Sequence, residues 1–437
     1  MPRSPQQSLI PPGALPSPGL PMLVGFSGGL DSTVLLHVLA ALPAVRETGL
    51  RAIHVHHGLQ AHADDWARHC IEQCAALDVR LTVARVEVRR DAGLGLEGSA
   101  REARLQAFDA YLGEHEALVT AHHQDDQAET LLLRALRGSG VDGLGAMKAW
   151  SRLAGGQPQW RPLLPVSRQR LLHHALAQGL RWIEDPGNGT SVQDRDFLRN
   201  RVMPLLRERW PQASASLARS AGLAAQAGAL LQEMDAQALA LCATDDPQVL
   251  SVAPLLALDP ARRARVLRRW IGQLGLPPLP GAGVARIETD LLHARPDAQP
   301  VFDWRGARVQ RWRTLLHSGL RVAPLDPDWS VAWTGSDRLA LPGGGSLSLH
   351  GAPALPWPLR VHARQGGERI RLPGRRHSHS LKHVLQSLGV PPWQRAVLPL
   401  LSDAGGELLA VADMACAAPL RAWLDQHQAS LAWRHAV

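Results

Sequence analysis

The segment Ser27-Gly28-Gly29-Leu30-Asp31-Ser32 decides the fold of this chain, because it joins two stretches with different periodicities. The apolar run at 22–26 precedes it and predicts a buried strand, whereas the apolar spacing of 33–39 predicts a helix. A strand, a glycine loop and a helix in this order direct free backbone N–H groups and the positive helix end toward an anion. Gly28 and Gly29 let the backbone turn sharply and approach a phosphate without an intervening Cβ atom.

The polar side chains of the loop suit a nucleotide phosphate and its metal ion. Ser27 and Ser32 can donate hydroxyl hydrogen bonds, and the carboxylate of Asp31 is a hard oxygen ligand for Mg²⁺. The loop lacks the lysine of the common P-loop and the three-glycine spacing of a dinucleotide loop. It resembles the PP-loop of the ATP pyrophosphatases, enzymes that cleave ATP between its α- and β-phosphates. The alternative is a tight turn that merely needs glycine.

The rest of the N-terminal half alternates between strand and helix patterns. Strands are predicted at 51–59, 80–86 and 117–121, and helices at 64–77, 97–112 and 125–136. This alternation predicts an α/β fold with a doubly wound parallel sheet. Ligands of such sheets bind at the carboxyl ends of the strands, where most of the polar clusters of this sequence fall.

His54 and His56 share one face of the strand predicted at 51–59. A metal pair is disfavoured, because no third ligand follows at a suitable spacing. Two interpretations stay open: these side chains line the adenosine pocket of a nucleotide, or they only satisfy local hydrogen bonds. The predicted nucleotide-binding residues are Ser27, Gly28, Gly29, Leu30, Asp31, Ser32, His54 and Val55.

The segment 120–130, Thr-Ala-His-His-Gln-Asp-Asp-Gln-Ala-Glu-Thr, begins at a strand end and continues into a helix. His122, Asp126 and Glu129 are separated by four and three residues, so they point to one side. Two carboxylates beside a histidine can hold a cationic amine, and the histidine can take a proton from it. The alternative is helix capping by Asp125 and a solvated acidic face.

Arg101 and Arg104 lie three residues apart in the helix predicted at 97–112. A solvated basic face is the ordinary explanation of such a pair. A guanidinium near the α-phosphate would stabilise the charge that develops during adenylyl transfer, and Arg101 is the better candidate of the two.

Composition favours a polyanionic partner. The 437 residues carry a formal net charge of +8, and the sequence pI is about 10.4. The four cysteines form no Cys-x-x-Cys pair, so a structural zinc site has little support and reduced thiols of a cytoplasmic protein are expected. No apolar stretch is long enough to span a bilayer, which predicts no membrane association.

The composition changes along the chain and predicts several domains. A proline-rich, disordered leader is predicted at 1–21 and an ATP-binding catalytic domain at 22–212. Predicted after these are a mainly helical central domain at 213–325, short strands and a linker at 326–358, and a small α+β C-terminal module at 359–437. The C-terminal module carries a compact basic patch, which is either a solvated surface or a site for RNA phosphates. The predicted RNA-binding residues are Arg199, Arg201, Arg369, Arg371, Arg375, Arg376 and Lys382.

Taken together, the sequence resembles the bacterial tRNA(Ile)-lysidine synthetase family over most of its length. The resemblance is carried by SGGLDS at 27–32, HVHHGL at 54–59, TAHHQDDQAETLLLRALRGSG at 120–140, IEDPGN at 183–188, RNRVMP at 199–204, GGERIRLPGR at 366–375 and VPPWQR at 390–395. The loop alone specifies only the superfamily, whereas the 120–140 and C-terminal blocks specify the family. Leu105 stands where an aromatic residue is expected, a difference that concerns packing.

The resemblance implies a two-step ligation. The 2-carbonyl oxygen of the wobble cytidine of a CAU anticodon attacks the α-phosphate of ATP, and free L-lysine then attacks the adenylated base, so that AMP leaves. The implied cofactors are ATP and Mg²⁺, and the implied partner is tRNA(Ile), with no stable protein partner. On this basis Asp31 holds Mg²⁺, and Asp126 and Glu129 bind the α-ammonium group of lysine. The implied catalytic residues are Asp31, Arg101, His123, Asp126 and Glu129, with His122 as an alternative to His123 for proton relay.

Three other functions fit parts of the sequence. A PP-loop tRNA thiolase usually needs catalytic or metal-bound cysteines, and the cysteines here have the wrong spacing. For a PP-loop amide synthetase acting on a metabolite, the basic C-terminal region would be surplus. A non-catalytic tRNA-binding protein would not need an intact loop at 27–32 together with the 120–130 segment.

Overall fold

The computed structural model describes residues 9–10, 13, 15–16, 19–59, 62–88, 95–153, 155–184, 194–295 and 298–434, except for the side chains of 95–97. The chain divides into two compact units, Met1–Gln232 and Glu233–Val437. Residues 185–188 of the motif at 183–188 lie outside the described residues. No helix in the described part of the chain is both long and apolar enough to cross a membrane.

The first unit is built on a six-stranded sheet with the order β3-β2-β1-β4-β6-β5. Its strands are β1 Met22–Gly25, β2 Leu50–His56, β3 Arg80–Arg85, β4 Ala117–Val119, β5 Trp150–Arg152 and β6 Pro158–Trp160. Strands β1, β2, β3, β4 and β6 run parallel, and the edge strand β5 is antiparallel to β6. The predicted doubly wound parallel sheet is confirmed, and the antiparallel edge is an addition that the sequence did not reveal.

Helices cover both faces of this sheet. The helices that begin in the first unit are α1 Leu30–Ala40, α2 Pro43–Thr48, α3 Ala63–Ala76, α4 Gly95–Tyr111, α5 Gln124–Leu136, α6 Val141–Leu144, α7 Arg168–Ala177, α8 Asp194–Phe197, a π-helix Leu198–Val202, α9 Met203–Arg209 and α10 Ala213–Cys242, which ends in the second unit. Met22 and Val24 point into the core under α1 and α7, whereas Leu23 points to the opposite face, against Phe108 of α4. Alternate residues of β1 are thus buried on both sides, as a central parallel strand requires.

Part of the predicted leader is ordered. Leu9 and Ile10 are buried in the same core as Met22 and Val24. The prediction of disorder is wrong for these two residues, because their aliphatic side chains are removed from water against the sheet. Residues 1–8, 11–12, 14 and 17–18 of the leader lie outside the described residues.

The second unit contains three sheets. Its helices are α11 Val252–Ala257, α12 Pro260–Gln273, α13 Gly281–Arg286, a π-helix Ile287–Leu291, α14 Leu381–Ser387, α15 Pro392–Arg395 and α16 Ala418–Gln426. Its strands are β7 Val249–Ser251, β8 Val301–Trp304, β9 Ala307–Trp312, β10 Leu315–Leu320, β11 Ser330–Trp333, β12 Leu339–Ala340, β13 Ser346–His350, β14 Leu359–His362, β15 Arg369–Ile370, β16 His379–Ser380, β17 Leu400–Ser402, β18 Leu408–Val411, β19 Ala415–Cys416 and β20 Ser430–Arg434.

The central segment combines its helices with a four-stranded antiparallel sheet of order β7-β10-β9-β8, which the sequence did not reveal. The C-terminal module has the predicted α+β character. Strands β11 and β13 pair with β14 and β20, so the segment 326–358 contributes strands to the same sheets as 359–437.

Candidate active site

The loop at 27–32 has the geometry of an anion cradle at the start of α1. Gly28 has φ = +81°, and a Cβ atom there would lie 2.7 Å from Cδ1 of Ile183 and 3.0 Å from Sγ of Cys70. Glycine is therefore required by both conformation and space. No side chain caps the helix at Gly29, so the first N–H groups of α1 remain able to bind a phosphate.

Hydrogen bonds within the loop hold its hydroxyl groups in place. Ser27 Oγ lies 3.0 Å from Ser32 Oγ, and the Ser32 hydroxyl donates to the carbonyl of Gly29 at 3.1 Å. From outside the loop, the amide of Ile183 donates to the carbonyl of Gly28 at 2.8 Å. The cradle is consequently preorganised, since its shape depends on contacts that exist without a ligand.

The loop opens into a large cleft at the carboxyl ends of the parallel strands. The cleft has a volume of about 2140 Å³ and is lined by residues that follow β1, β2, β4 and β6. This volume exceeds the roughly 300–1,000 Å³ typical of a site for one small molecule. The cleft has room for a nucleotide and part of a second substrate.

His123 links the loop to α5. It is the N-cap residue of α5 and accepts a hydrogen bond from the Asp125 amide at Nδ1, over 3.2 Å. The ring proton therefore sits on Nε2, which lies 3.5 Å from Asp31 Oδ2 and 3.4 Å from Asp126 Oδ2. Burial works to lower the pKa of His123, but the hydrogen bond with Asp31 and the nearby carboxylates outweigh it and raise the pKa. This imidazole is placed to join two carboxylates, and its Nδ1 is not available to a substrate.

His122 has the opposite character. Its Nδ1 lies 3.0 Å from Oγ1 of Thr120, and burial lowers the pKa of His122 to about 4. The charges of Arg161, Arg195 and Arg104 lower the pKa further, against the attraction of Asp126. The ring is neutral at pH 7 and lines the cleft.

Asp126 and Glu129 face two arginines. Arg195 donates to Asp126 Oδ1 at 2.9 Å and to Glu129 Oε2 at 3.0 Å. Arg199 donates to Asp126 Oδ1, Glu129 Oε1 and Glu129 Oε2 at 2.9 to 3.0 Å. We call these four residues the carboxylate–arginine cluster. Glu129 is only 2% exposed, so the cluster is an ion-pair network at the wall of the cleft.

In the cluster Asp126 and Glu129 point to one side, as predicted, and both are paired with Arg199. This arginine was predicted to bind RNA, but its guanidinium is engaged by both carboxylates, which raise its pKa. Arg195 was missed by the sequence analysis. The signal was its position four residues before Arg199: Arg195 lies in α8 and Arg199 in the π-helix that follows directly, so both side chains lie on one face of this helical segment.

Asp125 has a separate role as an anchor. Its carboxylate accepts hydrogen bonds from the amide of Arg168 at 2.9 Å, from Ser214 Oγ at 2.8 Å and from Arg207. The side chain is buried and ties α5 to the starts of α7 and α10 and to α9. The sequence suggested only helix capping for Asp125, but the N-cap residue of α5 is His123.

Strand β2 carries two of the residues that were predicted to bind the nucleotide. Both His54 and Val55 line the cleft. Nδ1 of His54 lies 3.0 Å from the carbonyl oxygen of Phe26 and 3.3 Å from Cys70 Sγ. This nitrogen therefore makes local contacts, as the second of the two interpretations expects. His56 pairs with Asp64 across 3.2 Å instead of joining His54.

Asp31 has the donor chemistry expected for Mg²⁺. Its Oδ1 is buried and has no hydrogen-bond partner. No group of three or more His, Cys, Asp or Glu side chains suited to a metal occurs in the described part of the chain. One carboxylate together with phosphate oxygens is a common ligand set for Mg²⁺ in nucleotide-dependent enzymes, and Asp31 fits that set.

The remaining predicted residues are exposed. Arg101 lines the cleft from α4, and Arg201 lies on the surface of the first unit. In the second unit, Arg369 donates to the hydroxyl and carbonyl oxygens of Ser378. Five exposed basic residues of the C-terminal module, which we call the basic face, are Arg369, Arg371, Arg375, Arg376 and Lys382.

Three family models match the chain. They are described as the PP-loop domain at residues 13–206, the TilS substrate binding domain at 250–317 and the TilS substrate C-terminal domain at 359–433. A tRNA(Ile)-lysidine synthase of Xylella fastidiosa strain Temecula1 is 51% identical over 96% of this chain and 97% of its own length. Proteins of the same name are 49% identical in Xanthomonas campestris pv. campestris strain 8004, over 97% of this chain and 98% of the relative, and 45% identical in Pseudomonas putida, over 90% and 92%.

Proposed function

The chain belongs to the tRNA(Ile)-lysidine synthase family and forms lysidine on tRNA(Ile) with ATP, and we propose that the cleft carries out both steps of this reaction. In the first step the wobble cytidine of a CAU anticodon is adenylated. In the second step free L-lysine displaces AMP from the adenylated base. The alternatives of a tRNA thiolase or a non-catalytic tRNA-binding protein are not favoured, since the relatives align over nearly the full length of the chain.

The first step uses the loop at 27–32. The uncapped N-terminus of α1 and the hydroxyl groups of Ser27 and Ser32 bind the β- and γ-phosphates, which leave as pyrophosphate. Asp31 holds Mg²⁺, which when bound neutralises phosphate charge and supports departure of the leaving group. The 2-carbonyl oxygen of cytidine forms a bond to the α-phosphorus as the bond to the β-phosphate oxygen breaks. Arg101 stabilises the charge on the α-phosphate during this exchange.

The second step uses the carboxylate–arginine cluster. Its two carboxylates and two guanidinium groups match the two charges of the lysine backbone: Asp126 and Glu129 attract the α-ammonium group, and Arg195 and Arg199 attract the α-carboxylate. Binding requires that part of the internal pairing be exchanged for pairing with lysine. This arrangement leaves the side-chain amine of lysine free to extend along the cleft.

The side-chain amine of lysine must lose a proton before it attacks the ring carbon, because its pKa in water is about 10.4. The side chain of His122 is neutral and lines the cleft, so it can relay this proton. The proton on Nε2 of His123 faces Asp31 and Asp126, and we therefore assign His123 a positioning role between the two half-sites. The amine nitrogen forms the new bond to the ring carbon, and AMP takes the electrons of the breaking carbon–oxygen bond.

The observation that supports the proposal most is the position of His123, whose Nε2 lies 3.5 Å from Asp31 Oδ2 and 3.4 Å from Asp126 Oδ2, between the loop at 27–32 and the carboxylate–arginine cluster in one cleft. We assign the reaction to the cytoplasm, where tRNA and ATP occur together. The basic face and the central segment supply the grip on tRNA.

The test is incorporation of labelled lysine into tRNA(Ile) with a CAU anticodon. We expect incorporation that depends on ATP and Mg²⁺ and stops when the wobble cytidine is replaced by uridine. Incorporation into the uridine-containing tRNA, or without ATP, would overturn the proposal.

A further inference from the structure

Arg161 follows β6 and lies beside the segment that carries the two histidines. The amide of Thr120 donates to the carbonyl of Trp160 at 3.0 Å, so the residues after β4 and β6 emerge next to each other at the same end of the sheet. Strand β4 is in turn the neighbour of β1, which leads into the phosphate loop. Arg161 is therefore two strand positions, or about 10 Å, from the strand that carries the loop.

The guanidinium of Arg161 is held in one orientation by neutral groups. It donates to the carbonyl of Lys148 and the hydroxyl of Ser151, each at 2.9 Å, and to the side-chain carbonyl of Gln159. Gln159 is itself buried and lies within 3.5 Å of Thr120 Oγ1. The side chain is thus positioned before any substrate binds, and little conformational entropy would be lost on binding.

Its charge has no carboxylate partner among the described residues. The Nε atom of Arg161 is buried and makes no hydrogen bond. Other cations act on it instead: burial and the charge of Arg101 lower the pKa of Arg161, and the charge of Arg161 in turn lowers the pKa of His122. A half-buried cation without an acidic partner destabilises the free protein, and a bound anion would reduce this cost.

We propose that Arg161, together with Arg101, binds a phosphate group of a reactant in the cleft. The inference rests on the proposed function, because it assumes that ATP and tRNA react there. Two reactants carry the required chemistry: the α-phosphate of ATP, which becomes the phosphate of the adenylated base, and the backbone phosphates that flank the wobble nucleotide. A planar guanidinium suits either, since it donates two parallel hydrogen bonds to phosphate oxygens.

The alternative is that Arg161 only joins the hairpin of β5 and β6 through its hydrogen bonds. The two roles differ in what they require. If Arg161 only stabilises the hairpin, it needs hydrogen-bond donors but not a positive charge, and its replacement would affect the kinetics with all three substrates alike. A phosphate ligand requires the positive charge, and its loss would affect only the substrate that supplies the phosphate.

The test compares Arg161→Gln, Arg161→Lys and the control Arg152→Gln in steady-state lysine incorporation, with ATP, tRNA and lysine varied in turn. Arg152 belongs to the same hairpin, is exposed and donates to the carbonyl of Gly156. For Arg161→Gln we expect a 10-fold or larger loss of kcat/KM for ATP or for tRNA, with the KM for lysine within 2-fold of wild type. Arg161→Lys should lie between Arg161→Gln and wild type, and Arg152→Gln should match wild type.

A loss confined to ATP identifies the α-phosphate, and a loss confined to tRNA identifies the RNA backbone; both support the proposal. Wild-type constants for Arg161→Gln overturn it, as does an equal loss for all three substrates in which Arg161→Lys is no better than Arg161→Gln. If Arg161→Gln fails to fold, Arg161→Lys alone decides: a rise of 3-fold or more in one phosphate substrate's KM supports the proposal, and unchanged values overturn it. Failure of the wild-type chain to incorporate lysine would instead contradict the proposed function.

Discussion

Glu129 combines deep burial with three hydrogen bonds from two arginines. Removing one partner from a buried ion pair typically costs 3–5 kcal/mol, because the other charge is left without compensation. In the proposed mechanism the same charges bind the zwitterionic lysine, so Glu129 would contribute both to stability and to substrate binding. These two contributions can be separated by measuring the two half-reactions independently.

We expect Glu129→Gln to impair the second half-reaction selectively. The amide keeps the size of the side chain but removes a negative charge that attracts the lysine ammonium group. Release of pyrophosphate with tRNA and ATP should stay within about 5-fold of wild type, whereas the KM for lysine should rise at least 10-fold. Glu208→Gln, on the exposed face of α9, is the control and should leave both unchanged. Equal losses in both half-reactions would contradict the assignment of Glu129 to lysine.

His122 predicts a dependence of stability on pH. Its pKa of about 4 in the folded chain lies below the ordinary value of 6.5, so the unfolded chain takes up a proton first as the pH falls. The free energy of unfolding is therefore unaffected by His122 above pH 6.5 and falls by about 3 kcal/mol between pH 6.5 and 4. Denaturant unfolding of wild type and His122→Asn should show wild type losing stability relative to the variant over this range. His115→Asn, an exposed control, should show no such difference, and parallel curves for His122→Asn would contradict the account.

The sequence revealed residues whose chemistry depends on local order and missed those that depend on distant partners. The loop at 27–32 and the spacing of Asp126 and Glu129 can be recognised from a few consecutive residues. Arg195 and Arg199 reach Glu129 from 66 and 70 residues away, and no local pattern predicts such pairs. Arg199 was predicted to bind RNA for the same reason. Its neighbours in the sequence suggest a basic patch, whereas its carboxylate partners lie 70 and 73 residues away.

At the level of elements, the site depends on how α1 starts. The predicted strand, loop and helix were read correctly because all three follow local rules of periodicity and turn geometry. The antiparallel pairing of β5 with β6 was missed, since each strand has only three residues and little periodicity. The four-stranded sheet of β7 to β10 was missed among helices of stronger signal.

Gly28→Ala should disrupt the phosphate cradle. Alanine at this position would have an unfavourable positive φ, and its Cβ atom would lie 3.0 Å or less from atoms of Ile183 and Cys70. We expect a rise of at least 10-fold in the KM for ATP. Gly179→Ala is the matched control, because Gly179 also has a positive φ (+63°) but no atom within 4 Å of the added Cβ. Gly179→Ala should lower the melting temperature by a few degrees and leave the KM for ATP unchanged; similar KM values in the two variants would contradict the role of the cradle.

At the level of the whole molecule, the net charge of +8 and the basic face favour an RNA substrate. Each guanidinium that contacts an RNA phosphate makes binding weaker as salt increases, because it displaces counterions. Sequence composition predicts this type of partner well, since it depends on charge and not on packing. It does not predict which parts of the tRNA are contacted.

Replacing Arg371, Arg375 and Arg376 by Gln should weaken tRNA binding and flatten its salt dependence. We expect the slope of log K against log salt concentration to decrease in magnitude by about 2, from a contribution of roughly 0.7–0.9 per phosphate contact. The control replaces Arg68, Arg85 and Arg421 by Gln, which removes the same charge from exposed residues that are already paired with carboxylates. Equal slopes for the two triple variants, measured by filter binding, would show that net charge alone acts and that the basic face has no specific role.

The most direct measurement is a chase of the adenylated tRNA. The full chain is incubated with tRNA(Ile) bearing a CAU anticodon and with ATP labelled in its α-phosphate, in the absence of lysine, and free ATP is then removed. The account predicts labelled tRNA and an equal amount of pyrophosphate, followed by release of labelled AMP and formation of lysidine when lysine alone is added. Absence of label on the tRNA until lysine is present, or labelled tRNA that does not react with lysine, would contradict it.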